Sequence, residues 1–236
     1  MGHLFDTHFH LDLHKNRTSV IHDLEEKQIY TIAVTNLPDL YRKESVEFAS
    51  KYIRLALGFH PELLHQYKAQ IPLMWDLLPE VRYVGEVGLD LVDNTYEREQ
   101  LAFFNELVER CRYDSNKIFT IHSRRAVTKV LDVIGDNYRF KSILHWFSGS
   151  KSELEKAIER GCFISVNGAM IKSKKIMDML PFIPPSRVLL ETDSPFTNYK
   201  CDYANHLQYI MTELQNCNPE IDVWTNFRRL LETDVK

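Results

Sequence analysis

Residues 5–12 read Phe5-Asp6-Thr7-His8-Phe9-His10-Leu11-Asp12, and this stretch decides the fold. On a β-strand, His8 and His10 point to one face, because side chains alternate with a period of two. Five further segments repeat the theme of a short apolar run that ends in polar, ligand-type side chains. They are Gly58-Phe59-His60-Pro61, Gly85-Glu86-Val87-Gly88-Leu89-Asp90, Ile121-His122-Ser123-Arg124, Leu144-His145-Trp146-Phe147-Ser148-Gly149 and Leu190-Glu191-Thr192-Asp193-Ser194-Pro195. A strand, loop and helix together take roughly 25–35 residues. The gaps along His8, His60, Glu86, His122, His145 and Asp193 are close to two, one, one, one and two such units. These residues then end strands 1, 3, 4, 5, 6 and 8 of an eight-stranded α/β barrel, where that architecture keeps its chemistry.

Working outward, strands are expected at 3–8, 30–35, 53–58, 82–87, 117–122, 141–145, 162–166 and 186–192, with helical patterns between them. The clearest helix is 96–113, where Leu101, Phe104, Leu107, Val108 and Cys111 recur at helical spacing. A second helix is expected from about Asp39, carrying Val46 and Phe48. Residues 202–233 offer one or two closing helices. No linker, repeat or low-complexity tract interrupts the alternation. The expectation is a (β/α)8 TIM barrel forming a single domain over 1–236.

With 29 basic and 33 acidic residues the chain carries a net charge of -4, which gives no global attraction to nucleic acid. A local basic surface or bound cations can still hold a polyanion. The four cysteines, Cys111, Cys162, Cys201 and Cys217, contain no C-x-x-C pair and read as reduced thiols of a cytoplasmic protein. Strand 1 is expected almost at the first residue, so no signal peptide is expected. No apolar run approaches the ~20 residues needed to span a bilayer, so no membrane is expected. G-x-S-x-G and P-loop motifs are absent, which argues against a serine hydrolase or a nucleoside-triphosphate engine.

His8 and His10, converging at a barrel mouth, suit a transition metal. Glu86 lies between Gly85 and Gly88 at a strand end, and a buried carboxylate there needs a partner or a metal. Its two oxygens can bridge two cations, as imidazole normally does not. Two metals ~3.5–4 Å apart can clamp the attacking and leaving oxygens of a phosphoryl transfer. His122 and His145 are assigned to the second metal. Asp193 is assigned to the first and to proton removal from the nucleophilic water. Arg124 can pair with a phosphate or simply with a neighbouring acid. His60 is read as a donor to a phosphate oxygen or a loop-positioning residue, not a metal ligand. Ser194 is a candidate substrate contact or only a turn residue. His3, His14, His22, His65 and His206 are expected to be ordinary surface or boundary histidines.

With those segments assembled, the chain resembles the TatD family of metal-dependent deoxyribonucleases, within the amidohydrolase-type barrels. The resemblance rests on D-T-H-F-H-L-D (6–12), G-F-H-P (58–61), G-E-V-G-L-D (85–90), I-H-S-R (121–124), L-H-W-F-S-G-S (144–150) and E-T-D-S-P-F (191–196), in family order. It implies a divalent-metal hydrolase whose ligands map onto His8, His10, Glu86, His122, His145 and Asp193. It also implies DNA as substrate, as single strands or 3′ ends, with 3′–5′ exonuclease action. Two divalent ions are expected, magnesium or manganese for activity, while the histidine-rich set can also hold zinc. Three departures bear on substrate. Arg125 replaces the family's acid after the strand-5 arginine. Trp146 replaces a cysteine and is either a flat surface for base stacking or merely a barrel side chain. Asn226-Phe227-Arg228-Arg229-Leu230-Leu231 replaces the usual closing segment. Two other readings stay open: a small-molecule amide, ester or phosphoester hydrolase on the same scaffold, and a non-catalytic subunit that keeps the fold for binding.

Overall fold

A computed structural model describes residues 4–47, 49–197 and 202–232. His3, Phe48 and Cys201 therefore lie outside the described residues. Eight parallel strands follow in chain order: β1 (Phe5–Phe9), β2 (Tyr30–Val34), β3 (Ile53–Ala56), β4 (Tyr83–Gly88), β5 (Ile118–His122), β6 (Lys141–Leu144), β7 (Phe163–Val166) and β8 (Val188–Leu190). They pair as β1-β2-β3 and β4-β5-β6-β7-β8. Two seams join these sheets. At the first, Leu57 bridges Val84, and the Gly85 N–H donates to the Leu57 carbonyl at 2.9 Å. At the second, past the last β8 residue, the Asp193 N–H donates to the His8 carbonyl at 2.9 Å and the His10 N–H to the Ser194 carbonyl at 3.0 Å. The result is a TIM-barrel-like ring with helices outside.

The helices are α1 (Arg17–Glu26), α2 (Pro38–Glu47), α3 (Pro61–Tyr67), α4 (Ile71–Leu77), α5 (Glu97–Cys111), α6 (Val127–Ile134), α7 (Lys151–Glu159), α8 (Gly168–Ile171), α9 (Lys174–Met179), α10 (Tyr203–Cys217) and α11 (Val223–Leu231). In α5 the buried stripe is Gln100, Phe103, Phe104, Leu107, Val108 and Cys111, an i, i+3, i+4 pattern facing the strands. Helix α7 starts on a capping box, with Ser150 and Glu153 each accepting from the other's backbone. The core is continuous and rich in aromatics, including fully buried Phe5, Phe9, Phe104, Phe119 and Phe163.

Helix α11 covers the end of the ring opposite the strand termini. Phe227 stacks on Phe5 with centroids 4.3 Å apart, and the Asn226 amide donates to the carbonyls of Pro185 and Val188 at 2.6 and 2.8 Å. The divergent Asn226–Leu231 segment is thus a packing element. Strand β8 is shorter than the 186–192 expected from its apolar run. A 3-10 turn occupies Pro185–Arg187, and beyond Leu190 the chain turns away toward Asp193, which sits at φ 51°. His206 is not the surface histidine expected. It is 3% exposed and packs on Gly168, where an added Cβ would lie 2.5 Å from its Cε1.

Candidate metal centre

The strand ends place His8 on β1, Glu86 on β4 and His122 at the last position of β5. His145 follows β6 directly, and Asp193 follows β8. All six residues expected to ligate metal converge at this one face, His10 lying just past β1. Glycines make room for the convergence. At Gly58 a Cβ would lie 1.7 Å from the Thr35 carbonyl and 2.5 Å from the Glu86 nitrogen. At Gly88 the φ of 136° excludes a side chain, and a Cβ there would meet the His122 carbonyl at 2.1 Å.

Glu86 sits between two groups of imidazoles and is 2% exposed. Its Oε2 lies 3.4 Å from His10 Nε2 and 3.6 Å from His8 Nε2. Its Oε1 lies 2.6 Å from His122 Nδ1 and 3.0 Å from His145 Nε2. Burial alone would raise the Glu86 carboxyl, but the surrounding imidazoles of His60, His145, His8 and His122 hold it well below the usual carboxylate range. Asp193 completes the first group, with Oδ1 at 3.3 Å from His10 Nε2 and 3.6 Å from His8 Nε2.

The donor atoms fit divalent cations better than they fit one another. His8 Nε2 and His10 Nε2 face each other at 3.3 Å, while His8 Nδ1 is engaged by the Thr120 hydroxyl at 2.6 Å. His122 donates Nε2–H to Asp90 at 2.8 Å, which leaves the Nδ1 lone pair against the Glu86 carboxylate. Asp193 Oδ1, His10 Nδ1 and His145 Nδ1 are buried without a hydrogen-bond partner. Lone pairs converging in a water-poor site repel unless a cation lies among them. Asp90 and Thr120 supply the outer contacts that orient ligating histidines. At this centre three sets of donors fall within 4.8 Å of one another: His8, His10, Asp193; His60, Glu86, His122; and His8, His145, Glu191.

His60 belongs geometrically to one of these groups, its Nε2 3.6 Å from Glu86 Oε2. Its chemistry points elsewhere. Nδ1 accepts the Glu62 N–H at 3.2 Å as the cap of α3, so the ring proton sits on Nε2, which becomes a donor into the cleft. Burial lowers its pKa to about 4, so the ring is neutral.

A cavity of about 500 Å³ opens above this centre. Its wall includes His60, Arg124 and Trp146, all anticipated, and also Glu62, Ser148 and Phe196, which were not. Ser194 is not part of this wall. It is 1% exposed, and its hydroxyl meets His14 Nε2 at 3.2 Å, so the expected substrate contact is replaced by a packing contact. Arg125 is exposed at φ 53° and also lies off the wall.

Three acids escaped assignment from sequence. Asp90 orients His122. Glu191, fully buried, accepts from the Trp146 N–H and the Asn167 amide, each at 2.9 Å, and from the Ser165 hydroxyl. That contact pins Trp146 at φ 40°, an unfavoured backbone for a bulky residue. Asp6 ties β1 to the segment after β8, accepting from the N–H of His8 at 2.9 Å and of Thr192 at 3.1 Å, and from the hydroxyls of Thr192 and Tyr203 at 2.5 Å each. All three stand inside the quoted motifs, and a buried carboxylate beside a ligand is the one signal that could have marked them.

Comparison with known proteins gives the family and the fold. A family model described as TatD related DNase matches residues 5–219. A TATDN1 homolog of Encephalitozoon cuniculi is 28% identical over 186 residues, covering 76% of this chain and 65% of that one. The chain thus spans slightly under two thirds of that relative's length. The 3'-5' ssDNA/RNA exonuclease TatD of Erwinia tasmaniensis is 27% identical over 194 residues, 77% of this chain and 74% of that one. The crystal structure of YjjV, a TatD homolog from Escherichia coli K12, superposes with a TM-score of 0.78 at 22% identity, covering 99% of each chain, and shows the fold. No described helix is long and apolar enough to cross a membrane.

Proposed function

Because the chain belongs to the TatD-related DNase family of hydrolases, we propose that it cleaves phosphodiester bonds of DNA, as a 3′–5′ exonuclease on single strands, with two divalent ions. The observation that carries the proposal is the position of Glu86. Its two carboxylate oxygens face two separate histidine groups, at 3.4–3.6 Å on one side and 2.6–3.0 Å on the other. His8, His10 and Asp193 would hold one ion and His122 and His145 the other, with Glu86 shared. Bound ions would supply a nucleophilic water at neutral pH and neutralise charge on the phosphoryl oxygens.

The chain's own groups then divide the remaining work. Asp193 Oδ1, buried without a hydrogen-bond partner, accepts the water's proton. His60 Nε2–H and the exposed Arg124 guanidinium bind phosphate oxygens at the cavity wall. Trp146 gives a half-buried ring on which the terminal base stacks. The wall does not select a sequence, because every base has a face to stack.

Cleavage of 5′-labelled single-stranded DNA with manganese, beside Glu86→Ala, tests this. The expected result is a ladder shortening from the 3′ end, absent in the variant. A small-molecule hydrolase is the second reading, favoured by a cavity volume inside the roughly 300–1,000 Å³ of small-ligand pockets. Turnover of dipeptides or lactones with intact oligonucleotides would establish it instead.

A further inference from the structure

The rim of the cleft is electrically lopsided. On the β3 side stands Glu62, its side chain 60% exposed. On the β6 and β7 side, the Lys175 ammonium donates to the carbonyl of Ser148, a cavity-wall residue, at 2.9 Å. That bond crosses from the loop after β7 to the loop after β6, so it sets α9 at the mouth of the cavity. Lys172 and Lys174 flank it on the same short segment, and all three lysines are exposed.

This segment reverses the sign of an acidic chain. From Arg160 to Met177 there are four cations and no acid. Among the described residues, none of Lys172, Lys174 and Lys175 has a carboxylate within 4.0 Å, and Asp178, one turn on, pairs with none of them. Lys151, which opens α7 next to the same loop, has only Glu155 at 4.0 Å. Elsewhere surface cations are commonly paired, as in Arg42 and Lys43 with Asp39, Arg110 with Glu106, and Lys129 with Glu97. Uncompensated lysines at a catalytic mouth lower the energy of a polyanion there, and Glu62 raises it opposite.

We propose that Lys172, Lys174 and Lys175 form an exit track for the phosphate backbone. The strand whose end sits at the metal centre leaves the cleft over α8 and α9, away from Glu62, with its phosphates on these three ammonium groups. The track rests on the nucleic-acid reading above and adds a direction and a length dependence to it. A substrate too short to reach α9 gains nothing from the lysines. One that passes over them gains affinity that is lost with salt.

The test compares wild type with Lys172→Ala/Lys174→Ala and with the triple variant that adds Lys175→Ala. The double variant keeps the Lys175 contact to Ser148, so it reports on the track if the triple variant is misfolded. Probes are a single-stranded thymidine trimer, a 15-mer and bis(p-nitrophenyl) phosphate, with melting temperature as a check on folding. Each phosphate contact on a single strand contributes about 0.7 to the slope of log affinity against log salt. The triple variant is expected to bind the 15-mer at least about tenfold more weakly at low salt, with a slope shallower by about 2. The double variant should show roughly two thirds of that slope change, and turnover of the trimer and the small diester should be unchanged. Equal affinity and slope in wild type and both variants would overturn the track while leaving the nuclease reading intact. Turnover of the small diester by wild type, with neither oligonucleotide bound or cut, would overturn the nucleic-acid reading and the track with it.

Discussion

Glu191 is the buried acid whose loss should disturb the centre without removing any of the six residues assigned to the two ions. Its carboxylate accepts from the Trp146 N–H, the Asn167 amide and the Ser165 hydroxyl, and its Oε1 lies 3.7 Å from His145 Nδ1. Glu191→Ala strands three buried donors. Each unsatisfied donor costs ~1–3 kcal/mol, and water entering the space offsets part of that, so the net loss should be about 4 kcal/mol. For a domain of this size that lowers the melting temperature by roughly 10 °C. Released from Glu191, Trp146 can leave φ 40°, a strain of order 1–3 kcal/mol, and the adjacent His145 moves with it. A shift of ~1 Å at a reacting group lowers turnover by about a hundredfold. Glu191→Gln separates charge from shape. Its amide oxygen can still accept from Trp146 and Asn167, and the Ser165 hydroxyl can rotate to accept from the new NH2. Charge-assisted bonds are about twice as strong as neutral ones, so this variant should lose only ~2 kcal/mol and about tenfold in turnover. Urea unfolding and oligonucleotide cleavage at saturating manganese measure both quantities. An alanine variant that melts within a degree of wild type at full turnover would refute the positioning role.

Asp90→Asn should weaken manganese binding about 10–100-fold, because the charge-assisted bond that orients His122 becomes neutral; isothermal titration of metal-free protein reads this directly. Trp146→Ala should raise KM for oligonucleotides by the equivalent of ~1–3 kcal/mol, and Trp146→Phe by less, as steady-state cleavage kinetics would show. Burial pushes the Cys111 thiol up to about 11 and also raises Cys162, so at pH 8 a thiol reagent should label the exposed Cys217 and spare both until denaturant is added, as peptide mass mapping would show.

The ring of strands was legible because most of the parallel strands are buried on both faces and read as apolar runs. Tyr30–Val34, Ile118–His122 and Phe163–Val166 fall within a residue of their expected bounds. Ligand-type residues at the ends of such runs were legible for a related reason: a polar side chain closing an apolar strand needs a use. The outer contacts were not legible. Asp90 reaches His122, and Glu191 reaches Trp146, across distant stretches of sequence that only the folded ring brings together. Ser194 was misplaced because the left-handed turn at Asp193 rotates the following side chain off the cleft toward His14. His206 was misplaced because its burial depends on the missing side chain of Gly168. Lys172, Lys174 and Lys175 stand together in the sequence, but only the bond from Lys175 to the Ser148 carbonyl puts them at the cavity wall.

The proposed chemistry depends on one carboxylate, Glu86, serving two cation positions. Stepwise addition of manganese to metal-free protein, while following cleavage of single-stranded DNA, probes that dependence at its root. Activity should climb to its plateau only near two equivalents per chain, and Glu86→Ala should stay inactive at any manganese level. A plateau at one equivalent, or full activity in the variant, would contradict the shared carboxylate.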